Sequence, residues 1–116
     1  MFTIAFLTRR VDGMTAEEFF EHYRTTHYDL ASRMPGLVSY QQAPIRHGAG
    51  GWTTPESFPD YDALSIYTFT SREAADAAFA SPEGRLVDED TGKFIDWPSV
   101  LSIAADVSQR FDGSLA

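Results

Sequence analysis

Three histidines give this chain its means of moving a proton at neutral pH, and His27 is the one whose setting points inward. It lies in Met14–Tyr40, MTAEEFFEHYRTTHYDLASRMPGLVSY, on the apolar side of an expected helix. A neutral imidazole can take a proton from a carbon acid or lactone and return it elsewhere without a cofactor. The plainer role is a buried packing histidine at a helix end, bonded to a carbonyl. Tyr40 and Tyr67 can hold a carbonyl or enolate oxygen by O–H donation, although cross-strand ring packing explains Tyr67 as well. Asp62 precedes an expected strand and can orient His27 or accept a proton, or simply stabilise a turn. His47 and Trp52 sit on a long loop. His47 can act as a second acid/base and Trp52 as a lid over a flat apolar substrate, while a solvated loop histidine is the plainer alternative. Tyr23, Phe69 and Phe94 complete the candidate binding surface.

Other charged groups carry less. Arg9, Arg33 and Arg46 can bind a carboxylate bidentately, but a solvated strand end and a helix C-cap account for Arg9 and Arg33. His22 and His27 stand five apart, a spacing that does not share an α-helical face. His22 with Glu18 is a legal pair and more simply an exposed contact. Asp88-Glu89-Asp90 reads as a solvated acidic face. No metal is expected from these patterns, and nothing in the spacing requires haem or another organic cofactor.

The elements that must position these groups follow from periodicity. Phe2 to Thr8 reads as a strand apolar on both faces, and Asp12-Gly13 as a turn. Thr15 begins a helix through a capping box with Glu18, and the acids of the first turn suit its dipole. Phe19, Phe20, Tyr23, His27 and Leu30 follow at 3–4 spacing, until Pro35-Gly36 ends the element. Leu37 to Ile45 alternates as a strand, with Leu37, Ser39, Gln41, Ala43 and Ile45 on one face and Val38, Tyr40 and Gln42 on the other. Pro44 marks an edge or strand end. Arg46 to Asp60 is a loop long enough to suggest function. Ala63 to Phe69 is a third strand, and Ser71 caps a helix to Phe79. Ser81-Pro82 restarts a helical stretch toward Lys93, Phe94 to Pro98 connects, and Val100 to Val107 is the last strand. The tail, Ser108 to Ala116, reads as frayed or used across an interface.

This order is β-α-β-β-α-β, the split βαβ or ferredoxin-like arrangement with both helices on one sheet face. The other face, bearing apolar residues, needs a cover, which a second copy packed sheet to sheet supplies. The 116 residues fit one domain, residues 1–116. Nine Phe, five Tyr and two Trp are more rings than a thin core absorbs, so an interface or an apolar pocket is expected. A net charge of −8 argues against nucleic acid and anionic membranes as partners. The absence of cysteine excludes disulfides and thiolate metal sites. No apolar run reaches membrane-spanning length, and the N-terminus is not built as a signal peptide. A cytoplasmic protein is expected.

The run Met14-Thr15-Ala16-Glu17-Glu18-Phe19, then Tyr23, His27, Leu30-Ala31, Met34-Pro35-Gly36-Leu37 and Tyr40, resembles the EthD family of dimeric α/β-barrel proteins. Tyr61-Asp62-Ala63-Leu64, Ser71-Arg72-Glu73-Ala74, Phe79, Ser81-Pro82-Glu83 and Phe94-Ile95-Asp96 continue the likeness over nearly the whole chain. Tyr23 stands where the family pattern often has Trp, Tyr28-Asp29 replaces a small residue and Pro, and the Arg46–Asp60 loop is unusually long. The family is similar in fold to muconolactone isomerases, methylmuconolactone methylisomerases and polyketide cyclases, all small and without organic cofactor. By resemblance, His27 matches the acid/base histidine of the lactone isomerases, and Tyr40 the tyrosine after the Pro-Gly. The resemblance implies an α+β ferredoxin-like protomer in a homodimeric α/β barrel. It implies an isomerase, lyase or cyclase acting on a small apolar aromatic-derived, lactone or polyketide-like compound. The alternatives are an accessory or binding protein of an oxidative degradation pathway, and a cofactor-free oxidoreductase.

Overall fold

The computed structural model describes residues 1–48, 51–54 and 60–114. The central part of the Arg46–Asp60 loop and the last two tail residues therefore lie outside the described residues. The elements are β1 (Phe2–Thr8), α1 (Ala16–His22), a π-helical turn (Tyr23–His27), α2 (Tyr28–Ser32), β2 (Leu37–Pro44), β3 (Ala63–Phe69), α3 (Arg72–Ala80), α4 (Pro82–Phe94), a 3-10 turn (Trp97–Ser99) and β4 (Leu101–Asp106). The four strands form one antiparallel sheet in the order β2-β3-β1-β4.

Alternation within the strands separates the two faces of the sheet. Ala63, Ser65, Tyr67 and Phe69 of β3 are buried beneath the helices, and Phe2, Ile4 and Phe6 of β1 pack against the same core. The opposite face carries Thr3, whose hydroxyl meets that of its cross-strand partner Thr68 at 3.1 Å. Edge strand β4 is exposed along its length; Leu101 and Ile103, which share that open face, are 51% and 63% exposed.

Two expectations about the strands are corrected. A bulge between Leu37 and Ser39 puts Leu37 opposite Phe69 and Tyr40 opposite Tyr67, so Leu37 and Tyr40 share the helix-covered face. The extra residue, Val38, is left half exposed. The last strand is shorter than Val100 to Val107, because Trp97–Ser99 winds into a turn just before it.

The helices follow their caps. Thr15 and Glu18 form the reciprocal capping box of α1. Ser71 caps α3, and Ser81 both ends α3 and caps α4. That tight junction needs Gly84, where an added Cβ would collide with the Ala78 carbonyl oxygen.

The first helical segment departs most from expectation. Phe19, Tyr23, His27 and Ala31 are all buried, in steps of four. In an α-helix at about 100° per residue each such step drifts by about 40°, which would rotate Ala31 off the stripe. The π-helical turn unwinds this drift. Its widened backbone is satisfied by side chains: the Thr25 hydroxyl donates to the Glu21 carbonyl at 2.6 Å, and the Gln42 amide to the Tyr23 carbonyl at 2.7 Å.

Candidate active site

A cavity lies between the sheet and the helices, lined by side chains from β1, β3, α3, α4 and the 3-10 turn together with His27. It is small, about 50 Å³, room for a few waters. Its walls are mostly apolar, with Phe6, Tyr67, Phe79 and Trp97 supplying rings.

His27 is 3% exposed. Its Nδ1 lies 2.9 Å from Oδ2 of Asp90, a carboxylate that is itself 2% exposed. An ionised carboxylate only accepts, so Nδ1 carries the proton and Nε2 keeps its lone pair. No protein group among the described residues bonds Nε2. Burial holds the imidazole below its ordinary pKa of 6.5, opposed by the hydrogen bond and charge of Asp90. At neutral pH His27 is therefore an uncharged base with its tautomer fixed.

His22 joins the same carboxylate, with Nε2 at 2.8 and 3.0 Å from the two oxygens of Asp90. Its side chain is 29% exposed, so the His22–Asp90–His27 chain runs from the surface to the cavity wall. The two imidazoles flank Phe94, with ring centroids at 4.6 and 4.9 Å. On the other side His27 stacks on Tyr23 at 6.2 Å and 21°. The π-helical turn allows His22 and His27 to reach one carboxylate: five residues of α-helix would separate them by about 140°. Such widened turns recur at functional sites.

Behind the cavity lies a hydroxyl network. Tyr23 and Ser65 bond at 2.6 Å. Gln42 donates to the Tyr40 hydroxyl at 2.8 Å, and the Tyr40 and Tyr67 hydroxyls interact beneath rings 4.7 Å apart. Burial pushes Tyr23, Tyr40 and Tyr67 above the ordinary tyrosine value, so all three are neutral donors at physiological pH.

Of the residues singled out by sequence, His27 and Tyr67 line the cavity. Tyr23 and Phe94 support the imidazole from either side. Tyr40 stands one layer back, reaching the cavity through Tyr67. Phe69 is fully buried in the core, away from the lining. Asp62 does not orient His27: its carboxylate accepts from the Arg10 amide at 2.9 Å and Nη1 at 2.6 Å, beside a different depression. His47 bonds the Tyr61 carbonyl at 2.7 Å, and Trp52 is 95% exposed, so neither covers the cavity. None of the described residues of that loop lines the cavity.

Asp88-Glu89-Asp90 is likewise corrected, since Asp90 is buried. It belongs to the α4 stripe Gly84, Val87, Asp90, Thr91 and Phe94, and that 3–4 spacing is a signal present in the sequence. Asp88 is exposed at the cavity rim, yet partial burial still raises its carboxyl. Thr8 and Ser65 also line the cavity and carry no sequence signal beyond strand alternation. No group of three or more His, Asp or Glu among the described residues is arranged to hold a metal ion. No described helix is long and apolar enough to cross a membrane.

A four-stranded antiparallel sheet with helices on one face and a histidine-bearing cavity between them defines a ferredoxin-like α+β protein. The EthD domain matches residues 11–98, and the chain belongs to the EthD domain family. An ethyl tert-butyl ether D (EthD) family protein of Bacillus halodurans superposes with a TM-score of 0.72 at 19% identity, covering 92% of this chain and 99% of that one. HapK of Hahella chejuensis superposes at 0.74 with 17% identity, covering 98% and 100%. A dimeric ferredoxin-like protein of unknown function from Thermobifida fusca superposes at 0.68 with 16% identity, covering 91% and 90%. At these identities the likeness is one of fold. No curated protein matches the chain.

Proposed function

We propose that this protein is a cofactor-independent acid/base enzyme of the isomerase, lyase or cyclase type, acting on a small apolar compound derived from an aromatic, lactone or polyketide. The observation that carries the reading is His27: buried, uncharged, fixed by Asp90 through Nδ1, and left with a free Nε2 on a mostly apolar wall. Nε2 takes a proton from carbon next to a carbonyl, leaving an enolate. The same imidazolium returns that proton to another carbon, or to a leaving oxygen in a lyase or cyclase step. Asp90 stabilises the imidazolium without itself taking the proton, and His22 links the pair to solvent. Tyr67, backed by Tyr40, stabilises charge developing on the substrate oxygen.

The working form in this reading is a cytoplasmic homodimer, an α/β barrel closed by two sheets packed face to face. The exposed Leu101 and Ile103 on the open face support it, as does the dimeric structural neighbour. The test is a substrate screen by NMR in D₂O. Deuterium should enter an activated C–H of an enolisable ketone or lactone with wild-type protein, and His27→Ala should slow it by about 10²–10⁴-fold. Equal exchange by both proteins would refute the acid/base role. A ligand bound unchanged, with affinity flat over about pH 5 to 8, would favour the accessory binding protein instead.

A further inference from the structure

We infer that the cavity selects an uncharged, oxygen-bearing single ring and rejects a carboxylate, with Thr8 as the gripping hydroxyl and Asp88 as the charge filter. This deepens the acid/base reading and rests on the same cavity.

Thr8 supplies the first observation. It is 4% exposed, it lines the cavity, and its Oγ1 has no hydrogen-bond partner among the described residues. A buried hydroxyl is costly to leave unpaired, so such an orphan on a cavity wall marks a ligand contact. Of the other hydroxyls lining the cavity, Ser65 is engaged by Tyr23 and Thr91 by the Val87 carbonyl. The Thr8 hydroxyl, beside that of Tyr67, is thus left to take a ligand oxygen, and Nε2 of His27 to take a proton. A carbonyl or phenolic oxygen satisfies the first and leaves the second free for a C–H.

Charge supplies the second observation. None of the described residues lining the cavity is Arg or Lys. The one acid among them, Asp88, stands at the rim near enough to Tyr67 to act on its hydroxyl by charge. A ligand carboxylate would lose its hydration, gain no cation and pass a like charge. A neutral ketone or phenol meets no such barrier.

Size and entry fit one ring. The cavity of about 50 Å³ does not hold a ring until its rim opens. Trp97 lines that rim, is half exposed, and packs beside Gly92. Its indole stands at the cavity rim, so its fluorescence reports ligand entry.

The probes are 4-hydroxyacetophenone and 4-hydroxybenzoate, near-isosteric rings that differ in the carboxylate. Binding is followed by fluorescence, with Trp52→Phe removing the exposed loop tryptophan, and by the ring resonances of His27. The ketone is expected to bind and shift those resonances. The carboxylate is expected to bind at least about tenfold more weakly, and Asp88→Asn to narrow that gap several-fold. Thr8→Val should weaken the ketone about five- to tenfold while leaving the urea midpoint unchanged or higher, because it removes an unsatisfied group. A carboxylate bound as tightly as the ketone overturns the inference, as does a Thr8→Val protein that binds normally and unfolds more easily. So does failure of both probes to bind at millimolar concentration. The acid/base reading is judged separately, by deuterium exchange in wild type and His27→Ala.

Discussion

Replacing Asp90 by Asn removes one charge and changes little else, so it tests whether the buried carboxylate organises the site. Asp90 accepts from His27 at 2.9 Å and from His22 at 2.8 and 3.0 Å. A hydrogen bond to a charged group contributes about 1.5–3 kcal/mol. The His22 contact counts at the low end, because that side chain is 29% exposed and partly screened. The carboxamide oxygen can keep one imidazole as donor, but its NH₂ then faces the other, which must become an acceptor or turn away. One contact weakens and one inverts, for a net loss of about 2–3 kcal/mol. Loss of the carboxylate also removes what opposes burial at His27. Proton affinity there should fall a further ten- to hundredfold, roughly the effect of one adjacent opposite charge. Long-range ¹H–¹⁵N spectra read the tautomer and titration of His27, and urea unfolding at fixed protein concentration reads stability. Asp90→Asn should lose the fixed Nδ1–H tautomer, titrate lower and unfold earlier. An unchanged tautomer and titration, with stability within about 0.5 kcal/mol, would make Asp90 a bystander and refute the dyad.

Burial lowers the proton affinity of His27, so on acidification the unfolded chain takes up that proton before the folded one does. The contribution of His27 to stability is full above about pH 6.5 and is lost below it, by up to about 1.4 kcal/mol per pH unit until the folded state protonates too. Urea midpoints of wild type should fall below those of His27→Gln in relative terms as pH drops through that window; parallel curves would refute the direction. Ile103→Arg puts a charge on the open sheet face where Ile103 is 63% exposed. Sedimentation should show wild-type dimer and variant monomer with the same far-UV circular dichroism, and a monomeric wild type at tens of micromolar would refute the barrel.

The fold was legible because strand alternation, the Thr15 capping box, Ser71, Ser81-Pro82 and Pro35-Gly36 each act locally and agree with one another. Periodicity likewise turns His27 inward. The bulge at Val38 was not legible, since one extra residue changes the facing of Leu37 while leaving the composition of the strand intact. Asp62 and Asp90 show the harder limit. Each is an acid near a family-like motif, and only tertiary packing decides which meets the imidazole. Asp62 is taken by Arg10. Asp90 lies inside a charge run when read residue by residue, yet on the α4 stripe with Val87, Thr91 and Phe94 when read with the helical period. A carboxylate on an apolar stripe must find donors, and that rule carries more information than the charge run.

The steps of four from Phe19 to Ala31 make a related argument about the other half of the dyad. No uniform α-helix keeps such a stripe on one face, so either a residue leaves it or the helix unwinds. Here it unwinds between Tyr23 and His27, and the cost of the displaced hydrogen bonds is offset by Thr25 and by Gln42 from β2. Gln42 also binds Tyr40. One amide thus joins the turn that aligns the two histidines to the hydroxyl network behind Tyr67. The histidine wall and the tyrosine wall of the cavity are therefore positioned by the same side chain, one that touches neither the cavity nor Asp90.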